Sequence, residues 1–282
     1  LERRLSALDI QKIKRSGRKI VMVTAYDYTS ARLADSVGVD IILVGDSASM
    51  VMMGMKDTRY LTLDEMIVFC KSASRGVKRA MLVGDMPFMS YQISVEEAVR
   101  NAGRLVKEGF VDAVKIEGGA EYAETVKAIV RAGIPVMGHV GLTPQRASME
   151  SGYRLRGKKA EEGKSIIEDA LQLQDAGAFA IVLEYTTCEI GKILSEKLSI
   201  PVIGIGSGPH CDGQVLVFHD IVGLYEEPPP FAKKYADAAS LIKEALSRYR
   251  EEVLNHKFPS GEHFWSMDPS EYSRLLEMIK YR

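Results

Sequence analysis

Asp46, Asp85 and Glu117 each follow a short β-branched apolar run, in IILVGDS, MLVGDMP and AVKIEGG. Carboxylates that recur at strand ends, about one strand-helix unit apart, imply that several strands deliver their acids to one place. Like charges held that close repel, so a cation is expected among them. Hard oxygen donors without a His or Cys cluster point to Mg²⁺ rather than Zn²⁺. The competing explanation is that each acid caps the following helix or solvates a loop. Repetition on three successive runs counts against it.

Further titratable residues fall at similar places. Lys115 precedes Glu117 by two positions in AVKIEGG, so along an extended strand the two side chains share a face. A lysine turned into an apolar interior needs acidic partners. It could bind a substrate carboxylate, pair structurally with Glu117, or form a Schiff base. His139 in MGHVG and Glu184 in VLE close the next two runs. A Glu in an apolar strand tends to a raised pKa and could act as a general base, or it could simply pair with Lys115 or His139. His139 could equally be a satisfied core histidine.

These residues need a scaffold of many strands. Eight apolar runs occur in order: KIVMVTAYD, DIILVGDS, AMLVGDMPF, DAVKIEGG, IPVMGHVG, FAIVLEYT, IPVIGIGSG and the weaker VLVFHDIVGL. Between them lie stretches such as SVEEAVRNAGRLVKEG, with apolar residues spaced by three and four. Near-continuous Val, Ile, Leu and Ala suits parallel strands buried on both faces. Eight such units in about 225 residues match a (β/α)8 barrel. A doubly wound sheet competes, but no GxGxxG follows the first strand. GIGSG after the seventh run, with Gly204, Gly206, Ser207 and Gly208, could cradle an anion, although glycines at such a bend are more often geometric.

Long connections fall at Ser47–Tyr60, Leu142–Gly157 and Glu226–Phe231, the last carrying three prolines. Long loops after strands are where a barrel keeps its chemistry. Met50, Met52, Met53 and Met55 in the first could line an apolar substrate; packing against the barrel mouth is the preferred reading. A single barrel domain is expected, with a helical arm at about 1–18, a final helix near Asp237–Leu254 and a C-terminal extension from about 256 to 282.

Composition excludes several alternatives. With 46% hydrophobic and 27% charged residues, the 282-residue chain is ordinary globular material. A net charge of -1 gives no general attraction to nucleic acid or anionic membrane. The basic opening LERRLSALDIQKIKRSGRK lacks interleaved stacking aromatics and reads as a surface helix. Cys70, Cys188 and Cys211 stand far apart, against a disulfide framework. No segment reaches the ~18 apolar residues of a membrane span, and no signal peptide core is seen, so a soluble cytoplasmic protein is expected.

The strings VTAYDYTSARLAD, LVGDSASMVMMG, DMPFMSY, VKIEGG, GHVGLTPQ, SGYRLRG, VLE and IPVIGIGSGPHCDGQVLVFHD, over residues 10–262, resemble the ketopantoate hydroxymethyltransferase family. The resemblance implies a (β/α)8 barrel of the phosphoenolpyruvate mutase and isocitrate lyase type, assembled as a homodecamer. It implies transfer of a one-carbon unit from 5,10-methylenetetrahydrofolate to the 2-oxo acid 3-methyl-2-oxobutanoate in pantothenate biosynthesis. Carried over motif by motif, Asp46 and Asp85 hold Mg²⁺, and Glu117 completes the metal site directly or through water. Asp46, Ser47, Asp85 and Lys115 contact the keto acid, and Glu184 accepts the proton. His139 is left to a supporting position behind the metal site.

Departures are small: Ser207 stands where the family commonly has Ala, and SGY replaces GGY. The tail FWSMDPSEYSRLLEMIKYR is less family-like. A 2-oxo acid lyase or mutase of the same superfamily is the enzyme alternative; those lyases typically use a loop cysteine, and none sits in the corresponding loops. A barrel that only binds a ligand is the alternative of another class, and it predicts binding without turnover.

Overall fold

A computed structural model describes residues 3–146 and 153–280. The chain forms two compact units, Leu1–Tyr235 and Ala236–Arg282. The first opens with α1 (Ala7–Arg15), where Ser6 and Asp9 form a reciprocal capping box. Next come β1 (Ile20–Thr24), α2 (Tyr28–Ser36), β2 (Ile41–Val44), the single-turn α3 (Ala48–Val51), α4 (Leu63–Ser74) and β3 (Met81–Asp85). They are followed by α5 (Val95–Gly109), β4 (Ala113–Glu117), α6 (Ala123–Arg131), β5 (Val136–Gly141), α7 (Ala160–Asp175) and β6 (Ala180–Glu184). The unit ends with α8 (Cys188–Lys197), β7 (Val202–Ile205), β8 (Gly213–Leu216) and the short α9 (Phe218–Val222). The second unit holds α10 (Ala238–Leu254), where the final helix was expected, and α11 (Pro269–Lys280).

The eight strands pair in parallel and in chain order, and β8 returns to β1, so the sheet is a closed barrel rather than a doubly wound sheet. Every residue of β2, β3 and β4 is buried, as parallel strands covered on both faces require. Alternate residues divide between two cores. Ile42, Val44 and Leu82 pack outward under the helices, while Met22, Leu43 and Val83 fill the interior.

Two expectations need adjustment. The basic opening is a helix with an exposed face, as expected, but it is anchored to the barrel. Ile10 of α1 is wholly buried in the interior cluster with Ile20, Ile41 and Met81. Lys14 Nζ donates to the carbonyls of Ser195, Leu198 and Ile200 at 2.8–3.0 Å and meets Asp212 Oδ2 at 2.9 Å. Arg4 donates to the Ser74 and Val77 carbonyls. These basic groups satisfy carbonyls and an acid of the barrel instead of awaiting a nucleic acid.

The eighth run is the second correction, since only its first residues are strand. The Phe218 amide donates to the Thr24 hydroxyl at 3.0 Å, and the Asp220 and Ile221 amides turn back to the Val217 carbonyl. The chain therefore coils into α9, which stops at Gly223 in the left-handed region (φ 73°). His219 and Asp220 lie on this helix.

Candidate active site

Strand register makes the site. Across β3 and β4, Asp85 stands beside Lys115; across β4 and β5, Glu117 stands beside His139; across β5 and β6, Gly141 stands beside Glu184. Lys115 and Glu117, two apart on β4, face the same cavity as expected. Asp85, Glu117 and Glu184 are the last residues of their strands, Asp46 lies two residues past β2, and His139 lies within β5.

The side chains form one connected network. Lys115 Nζ lies 2.6 Å from Asp85 Oδ1, 3.6 Å from Glu117 Oε1 and 3.2 Å from His139 Nδ1. His139 bridges the acids, with Nδ1 3.4 Å from Glu117 and Nε2 3.2 Å from Glu184. The Asp46 amide donates to Asp85 Oδ2 at 3.0 Å. Lys115, Glu117, Asp85 and His139 are each at most 3% exposed.

Burial at this depth sets the ionisation. It pushes the Asp46 carboxyl well above its usual range, and the charges of Asp85 and Glu117 push it further. Burial likewise raises Asp85, against the opposing pull of Lys115. Glu117 is lowered, because His139 and Lys115 outweigh its own burial. For His139, burial and Lys115 favour the neutral ring, but Glu117 and Glu184 prevail and raise it to about 9. Lys115 stays protonated, its desolvation outweighed by Asp85, Glu117 and Asp46.

A cavity of about 440 Å³ opens over this network. Asp46, Ser47, Lys115, Glu117, His139 and Glu184 line it, whereas Asp85 lies behind Lys115 and does not. Tyr26, wholly buried, fixes Ser47 through a 2.8 Å hydroxyl contact. On the side of β7 and β8 the lining turns apolar, through Ile205, Val215 and Leu216, and ends in Tyr225, Pro230 and Phe231.

Sequence reasoning passed over the residue that ties the network together. Gln145, in the quoted GHVGLTPQ string, is 2% exposed. Its Nε2 donates to Asp46 Oδ2 at 2.9 Å and to the Met86 carbonyl at 3.1 Å, and its backbone amide donates to Glu117 Oε2 at 3.0 Å. The Tyr91 hydroxyl lies 2.8 Å from Gln145 Oε1 and 2.9 Å from the Glu117 carbonyl oxygen. The only available signal was a polar residue closing an otherwise apolar and glycine-rich loop start.

Other motifs resolve as packing. Gly206 (φ 64°) admits the Phe231 ring, which would lie 2.6 Å from an added Cβ. The Ser207 hydroxyl donates to the Leu183 carbonyl at 2.7 Å. Of the loop methionines, Met50 lines the cavity and Met53 packs on the core. Met52 and Met55 are exposed. Ser151 and Gly152 of SGYRLRG lie outside the described residues; Tyr153 lines the cavity.

The donor chemistry fits a divalent cation. Fully ionised, Asp46, Asp85, Glu117 and Glu184 carry two more charges than Lys115 and His139 supply; burial is the main cause that raises Asp46 and Asp85, and the charge of Glu117 adds to it. Among the described residues, however, no three His, Cys, Asp or Glu side chains are arranged to hold a metal ion. In this structure the Lys115 ammonium is the cation that Asp85 faces.

The ketopantoate hydroxymethyltransferase model matches residues 4–261. A 3-methyl-2-oxobutanoate hydroxymethyltransferase of Hyperthermus butylicus is 52% identical over 98% of this chain and 96% of its own length. The enzyme of that name from Pyrococcus furiosus is 52% identical over 93% of this chain and 92% of its own. Among solved structures, a phosphonopyruvate hydrolase superposes with a TM-score of 0.60 at 13% identity, covering 99% of this chain and 100% of that one. A 2,3-dimethylmalate lyase of the PEP mutase/isocitrate lyase superfamily gives 0.57 at 18% identity, over 98% and 97%. The distant structures fix the barrel type; the sequence matches, spanning nearly every residue that builds the site, place the chain in the ketopantoate hydroxymethyltransferase family.

Proposed function

We propose that the chain transfers a hydroxymethyl group from 5,10-methylenetetrahydrofolate to 3-methyl-2-oxobutanoate, giving 2-dehydropantoate for pantothenate biosynthesis in the cytoplasm. The observation that carries this reading is the buried cation of Lys115, set among Asp85, Glu117 and His139 and sharing one cavity with Glu184. A 2-oxo acid needs a positive group for its carboxylate and a base for its C3 proton. Both are present.

Asp46 and Asp85 are the residues to hold Mg²⁺, with Glu117 a direct or water-mediated partner. Bound there, Mg²⁺ supplies positive charge that steadies the enolate left when C3 loses its proton. Lys115 and Ser47 receive the keto acid, Ser47 held by Tyr26. Glu184 takes the C3 proton, kept in place through Oε2 by His139 Nε2. C3 then bonds to the methylene carbon of the folate as the first of its two carbon–nitrogen bonds breaks, and that nitrogen takes the proton removed from C3; water displaces the second nitrogen, its oxygen becoming the hydroxyl and its proton passing to that nitrogen as tetrahydrofolate leaves.

The chain is further proposed to act as a homodecamer. Exposed Leu241 and Leu246 on α10 and Leu276 and Ile279 on α11 support self-association, which sedimentation measures directly. Among the described residues no helix is long and apolar enough to cross a membrane.

Formation of 2-dehydropantoate from keto acid, methylenetetrahydrofolate and Mg²⁺ tests the reaction. Folded protein that forms none overturns it. Glu184→Gln is expected to bind keto acid yet lose exchange of the C3 proton with solvent; exchange at the wild-type rate removes Glu184 from the base role.

A further inference from the structure

One buried acid in the cavity is left without work by the keto-acid chemistry. Asp220 on α9 is 4% exposed, lines the cavity, and its Oδ1 meets no hydrogen-bond donor among the described residues. Burial alone raises its carboxyl, to about 6. A buried carboxylate oxygen without a donor is unfavourable, and such groups persist where a ligand completes them.

The fold places this acid away from Lys115 and Glu117, on the side of Tyr26, whose hydroxyl touches Ser47. In a closed ring of eight strands β8 stands opposite β4, so Asp220, just beyond β8, faces the cavity from the side across from Lys115 and Glu117. The cavity lining on this side is mainly apolar: Val215, Leu216 and Val217 precede it, and Tyr225, Pro230 and Phe231 follow, with Glu227 the other acid. Phe231 is seated firmly, packed on Tyr185 at 5.2 Å between ring centroids and pressed against Gly206, where no Cβ intervenes. A cavity of about 440 Å³ exceeds what a small keto acid fills.

The keto acid cannot satisfy Asp220. Its carboxylate and ketone only accept hydrogen bonds, and its remaining atoms are hydrocarbon. What completes Asp220 must carry a hydrogen-bond donor for Oδ1, and adjacent N–H donors on a flat body would serve both carboxylate oxygens and suit the apolar wall. A reduced pterin has both, in its 2-amino group and ring N3–H.

We propose that Asp220 is the anchor of the folate donor, accepting the paired N–H groups of the pterin while the wall ending in Phe231 packs against the ring. This rests on the hydroxymethyl-transfer reading and adds to it the residue that recognises the donor. Because Asp220 and Lys115 stand on opposite sides of one cavity, donor and acceptor are gripped separately and meet between them.

The test is a cycle of two changes read by calorimetric binding of tetrahydrofolate in the absence of keto acid. Asp220→Asn weakens tetrahydrofolate roughly tenfold to a hundredfold, the range for a lost charge-assisted pair. Wild-type protein loses a similar factor for the 2-desamino analogue of tetrahydrofolate, a measurement that needs no substitution. Together the two changes weaken binding no more than either alone. Independent, multiplying effects overturn the contact, as does wild-type affinity for the analogue. Wild-type protein that exchanges the keto-acid C3 proton but does not bind tetrahydrofolate overturns the donor assignment itself, and the anchor with it.

Discussion

Gln145 holds Asp46: its side-chain amide donates to Asp46 Oδ2 across 2.9 Å, although 99 positions separate the two in sequence. The same residue's backbone amide holds Glu117. One glutamine after β5 thus fixes two carboxylates delivered by β2 and β4. Gln145 touches neither reacting carbon in the proposed chemistry; it positions the two carboxylates proposed to hold Mg²⁺.

Gln145→Ala is therefore expected to weaken Mg²⁺ binding by roughly tenfold to a hundredfold, the usual loss when a support behind a ligand is removed. Gln145→Glu, which substitutes an acceptor for the donor, should be worse. Isothermal titration with Mg²⁺ reads this directly. Unchanged affinity in both variants would show that Asp46 needs no such support.

The ion network makes a second prediction, on stability. Lys115→Met strands Asp85 and Glu117 in a dry interior, and breaking a buried pair from one side costs about 3–5 kcal/mol. For a chain of this size that lowers the melting temperature by roughly 10 °C. The loss should be largest without Mg²⁺ and partly recovered when the ion is added. A melting point equal to wild type would mean that the acids ionise without the lysine.

Much of this was legible in the sequence, and the exceptions share a cause. Asp46, Asp85, Glu117 and Glu184 could be found because a charge after an apolar run is conspicuous and a barrel sends every strand end to one mouth. The pairs Asp85–Lys115 and Glu117–His139 could not, since they depend on register between strands, which no single run specifies. Gln145 is uncharged and sits in a loop. Asp220 was hidden by the apolar VLVFHDIVGL run, whose second half is helical because Val217 accepts from the Asp220 and Ile221 amides. The anchoring of the N-terminal segment was missed for the opposite reason: its many charges read as solvated, while Lys14 of α1 and Arg4 before it bond carbonyls of the barrel.

Gly141 supplies a prediction about geometry. It occupies φ 96°, and an added Cβ would come 2.4 Å from the backbone oxygen of Glu184. Gly141→Ala must therefore push the end of β6 away, carrying Glu184 with it. Displacement of a reacting group by about 1 Å is associated with rate losses near a hundredfold. C3-proton exchange should fall by about that factor while keto acid still binds at Lys115. Exchange at the wild-type rate would show that β6 yields without moving its carboxylate.

Asp220 predicts a conflict between stability and binding. Burial raises its carboxyl to about 6, above the value near 4 of an unfolded chain, so the folded protein takes up a proton between those limits. A raised acid destabilises the fold when forced to ionise: the penalty is absent below about pH 4, grows to about pH 6 and stays constant above it. Asp220→Asn, which cannot ionise, should thus be more stable than wild type at pH 8 by up to about 3 kcal/mol, at 1.36 kcal/mol for each unit of displacement. The advantage should shrink to nothing as the pH falls to about 4. Urea unfolding of both proteins across this range measures it, and a difference that does not change with pH would show that Asp220 ionises freely in the fold. Adding tetrahydrofolate should narrow the gap at pH 8, because a ligand bound more tightly by the ionised wild type than by the variant stabilises the wild type more.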